Sequence, residues 1–138
     1  NYEEEFWIGV DSYSNNLEGS VVASTKENNF NTPVFTIAAN MNIKVNGNID
    51  NINHSNSNRY SENEIEMNIS KGEIVGIEKY ITIVSTRDYE KSQLIKESKK
   101  ILDEETIKGY ETLYKEHCEA WNKRWETADI KIDGDIFA

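Results

Sequence analysis

Cysteine is all but missing from this 138-residue chain: Cys118 stands alone. A single thiol excludes an internal disulfide framework and fits a reducing, cytoplasmic compartment. Histidine is nearly as scarce. His54 and His117 lie far apart, with only Cys118 beside the second, so no zinc-ligand spacing exists. Asp129, Asp133 and Asp135 crowd the end but lack the twelve-residue calcium-loop pattern with its closing Glu. Basic charge is also short: 15 Lys and Arg against 25 Asp and Glu leave a formal net charge of −10. No window is basic enough to neutralise a run of phosphates, which excludes nucleic acid and anionic membrane as partners. No apolar run approaches the roughly 20 residues of a transmembrane helix, and none reads as a signal peptide. Phosphate-cradling glycine loops and the G-x-S-x-G elbow are absent as well. Glu3-Glu4-Glu5 and Asp103-Glu104-Glu105 read as a strand start and a helix start, the second expected from the helix dipole. No catalytic, cofactor-binding or metal-binding residue is therefore expected on this chain.

What is present, over residues 3 to 86, is alternation. Phe35, Ile37, Ala39, Met41, Ile43 and Val45 alternate with Thr36, Ala38, Asn40, Asn42 and Lys44, which predicts a long half-buried strand with one apolar face. Asn46-Gly47 ends it with a two-residue hairpin signal. Phe6, Ile8 and Val10 predict an earlier strand that stops at the polar turn Asp11 to Asn16. Glu62 to Ile69 alternates again through Ile65 and Met67. Glu73 to Arg87, rich in Ile, Val, Tyr and Thr, predicts a central strand with a bulge near Gly76. Asn48 to Ser61, crowded with Asn and Ser, has little to bury and reads as a solvated surface loop or irregular edge. Together these signals predict an antiparallel β-sandwich.

From Asp88 the period becomes helical. Asp88 is placed to cap a helix reaching about Leu102, with Leu94, Ile95, Ser98, Ile101 and Leu102 on one side. Asp103 then caps a longer helix whose apolar stripe is Ile107, Tyr110, Leu113, Tyr114, His117, Trp121 and Trp125. Gly109 weakens its first turns by up to about 1 kcal/mol relative to Ala. His117, Trp121, Trp125 and Asp129 recur at every fourth position and so share one ridge, which breaks after Thr127 into a short strand through Ile130 and Ile132. Two indoles and an imidazole on one face make a large apolar patch, so the ridge of His117, Trp121 and Trp125 is expected to be a structural docking surface. Stacking on a sugar ring is the competing use. The opening at Asn1 without an initiator Met, and the stop three residues past Gly134-Asp135, read as a piece of something larger.

The string His117-x-x-x-Trp121-x-x-x-Trp125-x-x-x-Asp129-Ile130-x-Ile132-x-Gly134-Asp135 resembles the segment of glycoside hydrolase family 65 that joins its N-terminal β-sandwich to its catalytic helical barrel. Lys71-Gly72-Glu73, Glu78-Lys79 and Ser85-Thr86-Arg87-Asp88 look like the last sandwich strand of that family. The likeness spans about the second half of the chain; the first half reads as divergent β-sequence. The family includes maltose, kojibiose, nigerose and trehalose phosphorylases. The resemblance implies part of a galactose-mutarotase-like supersandwich over residues 1–87, and a helical linker over 88–138 leading to an (α/α)6 barrel absent from this chain. It also implies the parent reaction: inverting phosphorolysis of an α-linked glucose disaccharide to β-glucose 1-phosphate and a free sugar. There a glutamate acts as general acid and inorganic phosphate, the co-substrate, as nucleophile. Both the glutamate and the phosphate site belong to the barrel, so neither maps onto this sequence. The implied partners are the barrel, the disaccharide and, in the parent, a second subunit. A stand-alone carbohydrate-binding sandwich, with Trp7, Tyr13 or the Asn-rich segment as platform, is the alternative.

Overall fold

The computed structural model describes residues 5–130 and Gly134. The chain runs β1 (Trp7–Asn15), β2 (Glu18–Thr25), β3 (Thr36–Asn46), β4 (Asn51–Ser57), β5 (Tyr60–Glu66), β6 (Gly76–Ser85), a 3-10 turn (Lys91–Gln93), α1 (Leu94–Lys108) and α2 (Tyr110–Ala128). Four strands form an antiparallel sheet in the order β1-β2-β3-β6, and β4 and β5 pair as a second, two-stranded sheet. The architecture is an antiparallel β-sandwich followed by helices, as the alternation predicts. The strand predicted over Phe35 to Val45 is β3, which pairs with β2 on one side and β6 on the other.

Several local expectations are corrected. Asp11 to Asn15 continue β1, and the chain turns at Asn16, whose φ of 48° suits Asn in the left-handed region. The bulge falls at Val10, between the register positions Gly9 and Asp11, whereas Gly76 simply opens β6, which is an edge strand of its sheet and not the central one expected. Asn46-Gly47 makes no hairpin: β3 hands the chain to the other sheet, and its partners are β2 before it and β6, which follows both strands of that sheet. The Asn-rich segment is no loop. It supplies β4 and the start of β5, joined by a tight turn with Arg59 at φ 61°.

The helical boundaries also move. Asp88 closes a turn by accepting from the Ser85 amide at 3.0 Å and the Ser85 hydroxyl at 2.8 Å, so α1 starts later, at Leu94. Asp103 caps nothing: α1 runs through it to Lys108. The break comes at Gly109, whose φ of 78° and ψ of 165° form a conformation essentially reserved for glycine.

Leu94, Ser98, Leu102 and Thr106 are the buried residues of α1, a strict four-residue stripe. Leu94 meets Val22, Ala38 and Val84 of the sheet, with Tyr89 and Ile101 packed around them. This reverses the expected use of β3. Its fully buried side chains are Thr36, Ala38 and Asn40, while Ile37, Ala39, Met41 and Ile43 on the other face are only half-buried. Small and polar residues let the helix approach closely, and their polar groups are paired. Asn40 Nδ2 donates to Ser98 Oγ at 2.7 Å, and Ser98 Oγ lies 2.9 Å from Thr82 Oγ1. Thr82 in turn donates to the Ser98 carbonyl at 3.0 Å. Ser24 and Thr36 share a second buried hydroxyl pair at 2.7 Å.

The chain divides into two compact units, one ending at Ile107 and the other beginning at Lys108. Most of α1 thus belongs with the sheets, and α2 forms the body of the second unit.

Candidate functional site

Three places carry the chemistry singled out by the sequence. The first is the ridge on α2. His117 and Trp121 lie with ring centroids 6.1 Å apart, Trp121 and Trp125 stack at 6.3 Å, and the Arg124 guanidinium sits 5.3 Å from the Trp121 ring. One turn further back, Tyr110 and Tyr114 stack at 5.8 Å. The four-residue spacing therefore brings together the residues it predicts. No residue of α2 is buried: Trp121 is 43% and Trp125 56% exposed. Beside the ridge, a hydrogen bond with the Cys118 thiol, then charge from Cys118, Tyr110 and Glu111, pushes the Tyr114 phenol above its usual range. The helix ends with Asp129 extended, its amide donating to the Trp125 carbonyl at 2.9 Å. The strand expected through Ile132, and the carboxylates Asp133 and Asp135, lie outside the described residues. Among the described residues no group of three His, Cys, Asp or Glu is arranged to hold a metal.

The second place is the β4–β5 sheet, whose first strand and turn fall in the segment expected as a loop or irregular edge, and whose second strand is the one expected from Glu62 but ends at Glu66. Its amides and hydroxyls are engaged with β1 and the turn that follows it. Asn56 Nδ2 donates to the Ser12 carbonyl at 3.1 Å, Ser61 Oγ to the Tyr13 carbonyl at 2.7 Å, Arg59 to the Trp7 carbonyl at 2.7 Å, and Asn63 to the Asn16 carbonyl. In return Ser14 Oγ donates to the Glu62 carbonyl at 2.6 Å. The asparagines thus cover the edge strand β1, a use that protects backbone groups from foreign strands. Glycines make room for this contact. A Cβ at Gly9 would run into the Asn58 side chain, and one at Gly19 into Ser61 Oγ and Met41.

The third is a cleft of about 250 Å3 beside α1, lined by Asp11, Tyr13, Glu18, Asn42, Lys99 and Asp103 among others. Tyr13 opens onto it, half-exposed. Trp7, the other suggested platform, is engaged: its ring lies 6.2 Å from Phe35 and 5.8 Å from Phe6.

One feature is visible only once the strands are in register. Ile77, Ile81 and Ile83 of β6 are opposite Val45, Met41 and Ala39, on the face away from α1, and are 56%, 57% and 68% exposed. Their spacing is written in the sequence, but the length of the Glu73 to Arg87 run reads equally well as a strand buried on both sides.

Comparison with known proteins settles the family. The family model described as glycosyl hydrolase family 65, N-terminal domain, matches residues 1–124, so the likeness covers the first half of the chain as well as the second. The chain is 32% identical to maltose phosphorylase of Bacillus subtilis (strain 168) over 139 aligned positions, covering 98% of this chain and 17% of that protein. It is 24% identical to α,α-trehalose phosphorylase of Thermoanaerobacter brockii over 135 positions, 91% of this chain and 16% of that protein. The chain thus spans about a sixth of the length of these relatives. It belongs to glycosyl hydrolase family 65, as a chain of the family's N-terminal domain type.

Proposed function

We propose that this chain is a non-catalytic portion of the N-terminal module of an α-glucoside phosphorylase, providing scaffold and interface for a catalytic barrel. The observation that carries this reading is the 32% identity to a maltose phosphorylase along 98% of the chain. The parent reaction is phosphorolysis: inorganic phosphate attacks the anomeric carbon of an α-linked glucose unit while a general acid protonates the departing sugar, giving β-glucose 1-phosphate by inversion. Acid and phosphate site are assigned to the barrel, and the parent is assigned as a cytoplasmic homodimer. No helix of the described residues is long and apolar enough to cross a membrane.

In this reading His117, Trp121 and Trp125 form a docking ridge for the barrel. Two exposed, mutually stacked indoles gain little from water and much from a partner surface. The full open reading frame, expressed and incubated with phosphate and maltose, kojibiose, nigerose or trehalose, is expected to release glucose 1-phosphate from at least one of them. The 138-residue chain alone is expected to release none. Turnover by a pure sample of the short chain, or none by the long one, overturns the assignment.

The alternative, a sugar-binding sandwich, rests on the Tyr13 cleft, which sets an exposed aromatic beside carboxylates and an amide. Titration of the short chain with the same sugars separates the two, since the scaffold reading expects no saturable binding.

A further inference from the structure

Helix α1 seats on the sheet over Val22, Ala38 and Val84 and leaves the β1 end of the same face open. Register carries a row across that face from Thr82 through Asn40 and Ser20 to Tyr13, which is half-exposed at the open end. The cleft of about 250 Å3 lies there. One edge of α1 makes its second wall, because Ile95, Lys99, Leu102 and Asp103 follow the helical repeat and share a side. The polar groups in it are unbalanced. Glu18 is engaged by Lys99, whose Nζ lies 3.7 Å from Glu18 Oε2, while Asp11 and Asp103 add two further carboxylates. Asn40 lines the cleft and is more than nine-tenths buried. Its Nδ2 donates to Ser98 Oγ, which leaves Oδ1 as an acceptor to which no described residue donates.

We propose that this cleft is a binding site for a small organic cation, an ammonium or guanidinium group on a short aliphatic stem. A sugar hydroxyl both donates and accepts, whereas such a cation only donates, and the fixed donors of the cleft, Lys99 and Asn40 Nδ2, are already engaged. The carboxylates of Asp11 and Asp103 and the free Asn40 oxygen are acceptors for its N–H groups. Tyr13 sets an aromatic ring at the mouth, where a cation is attracted to the ring face. Ile95 and Leu102 give the stem an apolar wall, the kind of surface that lysine and arginine stems cover elsewhere. The volume falls below the roughly 300–1,000 Å3 of pockets that enclose drug-sized ligands, which suits a cation of a few carbons. A bare metal ion is poorly served, since among the described residues no three His, Cys, Asp or Glu converge to hold one. Every lining residue precedes Ile107, inside the first compact unit. The proposal is independent of the phosphorylase reading, because nothing in it uses turnover.

The test is a calorimetric titration of the 138-residue chain and of the full-length polypeptide with agmatine, putrescine and, as the uncharged match, butylurea. Agmatine is expected to saturate one site with a Kd below about 1 mM at low salt and to weaken at least about fivefold in about 0.5 M salt, while butylurea does not saturate. Asp11→Asn together with Asp103→Asn is expected to weaken agmatine at least about tenfold, and Tyr13→Leu about threefold. Glu64→Gln together with Glu66→Gln removes the same charge from exposed positions of β5, outside the cleft, and is expected to change binding by less than about twofold. All of these positions are exposed, so each variant is expected to keep the parent's thermal midpoint within about 2 °C. Saturation of both chains makes the ligand a free cation; saturation of the short chain alone makes it a lysine or arginine side chain of the remaining polypeptide. No saturation in either chain, equal binding of butylurea, or an equal loss in the β5 pair overturns the proposal. So does maltose that competes with agmatine, since the cleft would then belong to the sugar-binding reading.

Discussion

Ser98 is fully buried where α1 meets the sheet, and Ser98→Ala isolates the value of the polar chain built around it. With Thr82 donating to the Ser98 carbonyl, the directions are fixed: Asn40 Nδ2 gives a proton to Ser98 Oγ, and Ser98 Oγ gives one to Thr82 Oγ1. Removing the hydroxyl deletes two bonds. Thr82 keeps its own acceptor, the carbonyl, but the Asn40 amide loses its acceptor in a site that is 8% exposed. An orphaned buried donor costs about 1–3 kcal/mol. Alanine's better helix propensity returns about half a kcal/mol. The net loss is about 1–2 kcal/mol, which for a unit of this size lowers the midpoint by roughly 5–10 °C. Thermal and urea unfolding of Ser98→Ala, Asn40→Ala and the double variant measure this directly. The double variant is expected to be less damaging than the sum of the singles by about 1 kcal/mol, because removing Asn40 removes the group that Ser98→Ala strands. A Ser98→Ala chain as stable as its parent, or a strictly additive cycle, refutes the reasoning.

Gly19→Ala is expected to loosen the two-stranded sheet, because the new methyl displaces Ser61 Oγ, which is bonded to the Tyr13 carbonyl; amides of β4 and β5 should exchange about tenfold faster, corresponding to about 1.4 kcal/mol, while those of α1 hold. The Tyr60 phenol is held above its ordinary value by a hydrogen bond to Glu62, then by desolvation and the Glu62 charge, and Tyr114 is raised by Cys118. A raised phenol favours the folded state below the unfolded pKa and loses that advantage as pH climbs through the folded one. Spectrophotometric titration should therefore show two phenols ionising later than an ordinary tyrosine, with Tyr60→Phe and Tyr114→Phe each removing one; a late step that survives both changes contradicts the assignment. Trp121→Ala is expected to erase the stacking signal of the Trp121–Trp125 pair, at a stability cost of no more than about 1.5 kcal/mol in the short chain, and to leave any sugar affinity unchanged; a variant that melts like its parent but loses sugar binding makes the ridge a ligand platform.

Element type was legible wherever one period ran long enough. β3, β5 and β6 carry clear alternation, and Leu94, Ser98 and Leu102 announce the buried stripe of α1. β2 was not legible. Glu18–Thr25 reads Glu-Gly-Ser-Val-Val-Ala-Ser-Thr, without alternation, because it is packed on both faces and must stay small where layers approach: Gly19 and Ala23 on one side, Val22 and Ser24 on the other. The Asn-rich segment escaped for a related reason. Its residues are held by side-chain bonds to β1 carbonyls rather than by apolar burial, and sequence periodicity registers only burial. The helix boundary at Gly109 was legible in principle, since a glycine between two amphipathic runs is a break signal. The acidic run at Asp103 outweighed it.

The ridge was legible as a constellation, and its partner was not, because spacing on one helix fixes which side chains share a face but not what they face. The sheet shows the same limit in sharper form. Alternation in β3 marks Ile37, Met41 and Ile43 as the core side, yet the helix covers Thr36, Ala38 and Asn40 instead. Both observations follow from one cause. A face rich in small and hydroxylic residues is the better seat for a helix whose own stripe contains Ser98, because the bodies approach closely and the Ser98 hydroxyl pairs with Asn40. A face of branched aliphatics is the better seat for another sheet, whose side chains interdigitate at a wider spacing. The apolar alternation thus marks a face that is only half-buried in this chain, and the isoleucines of β6 extend that face.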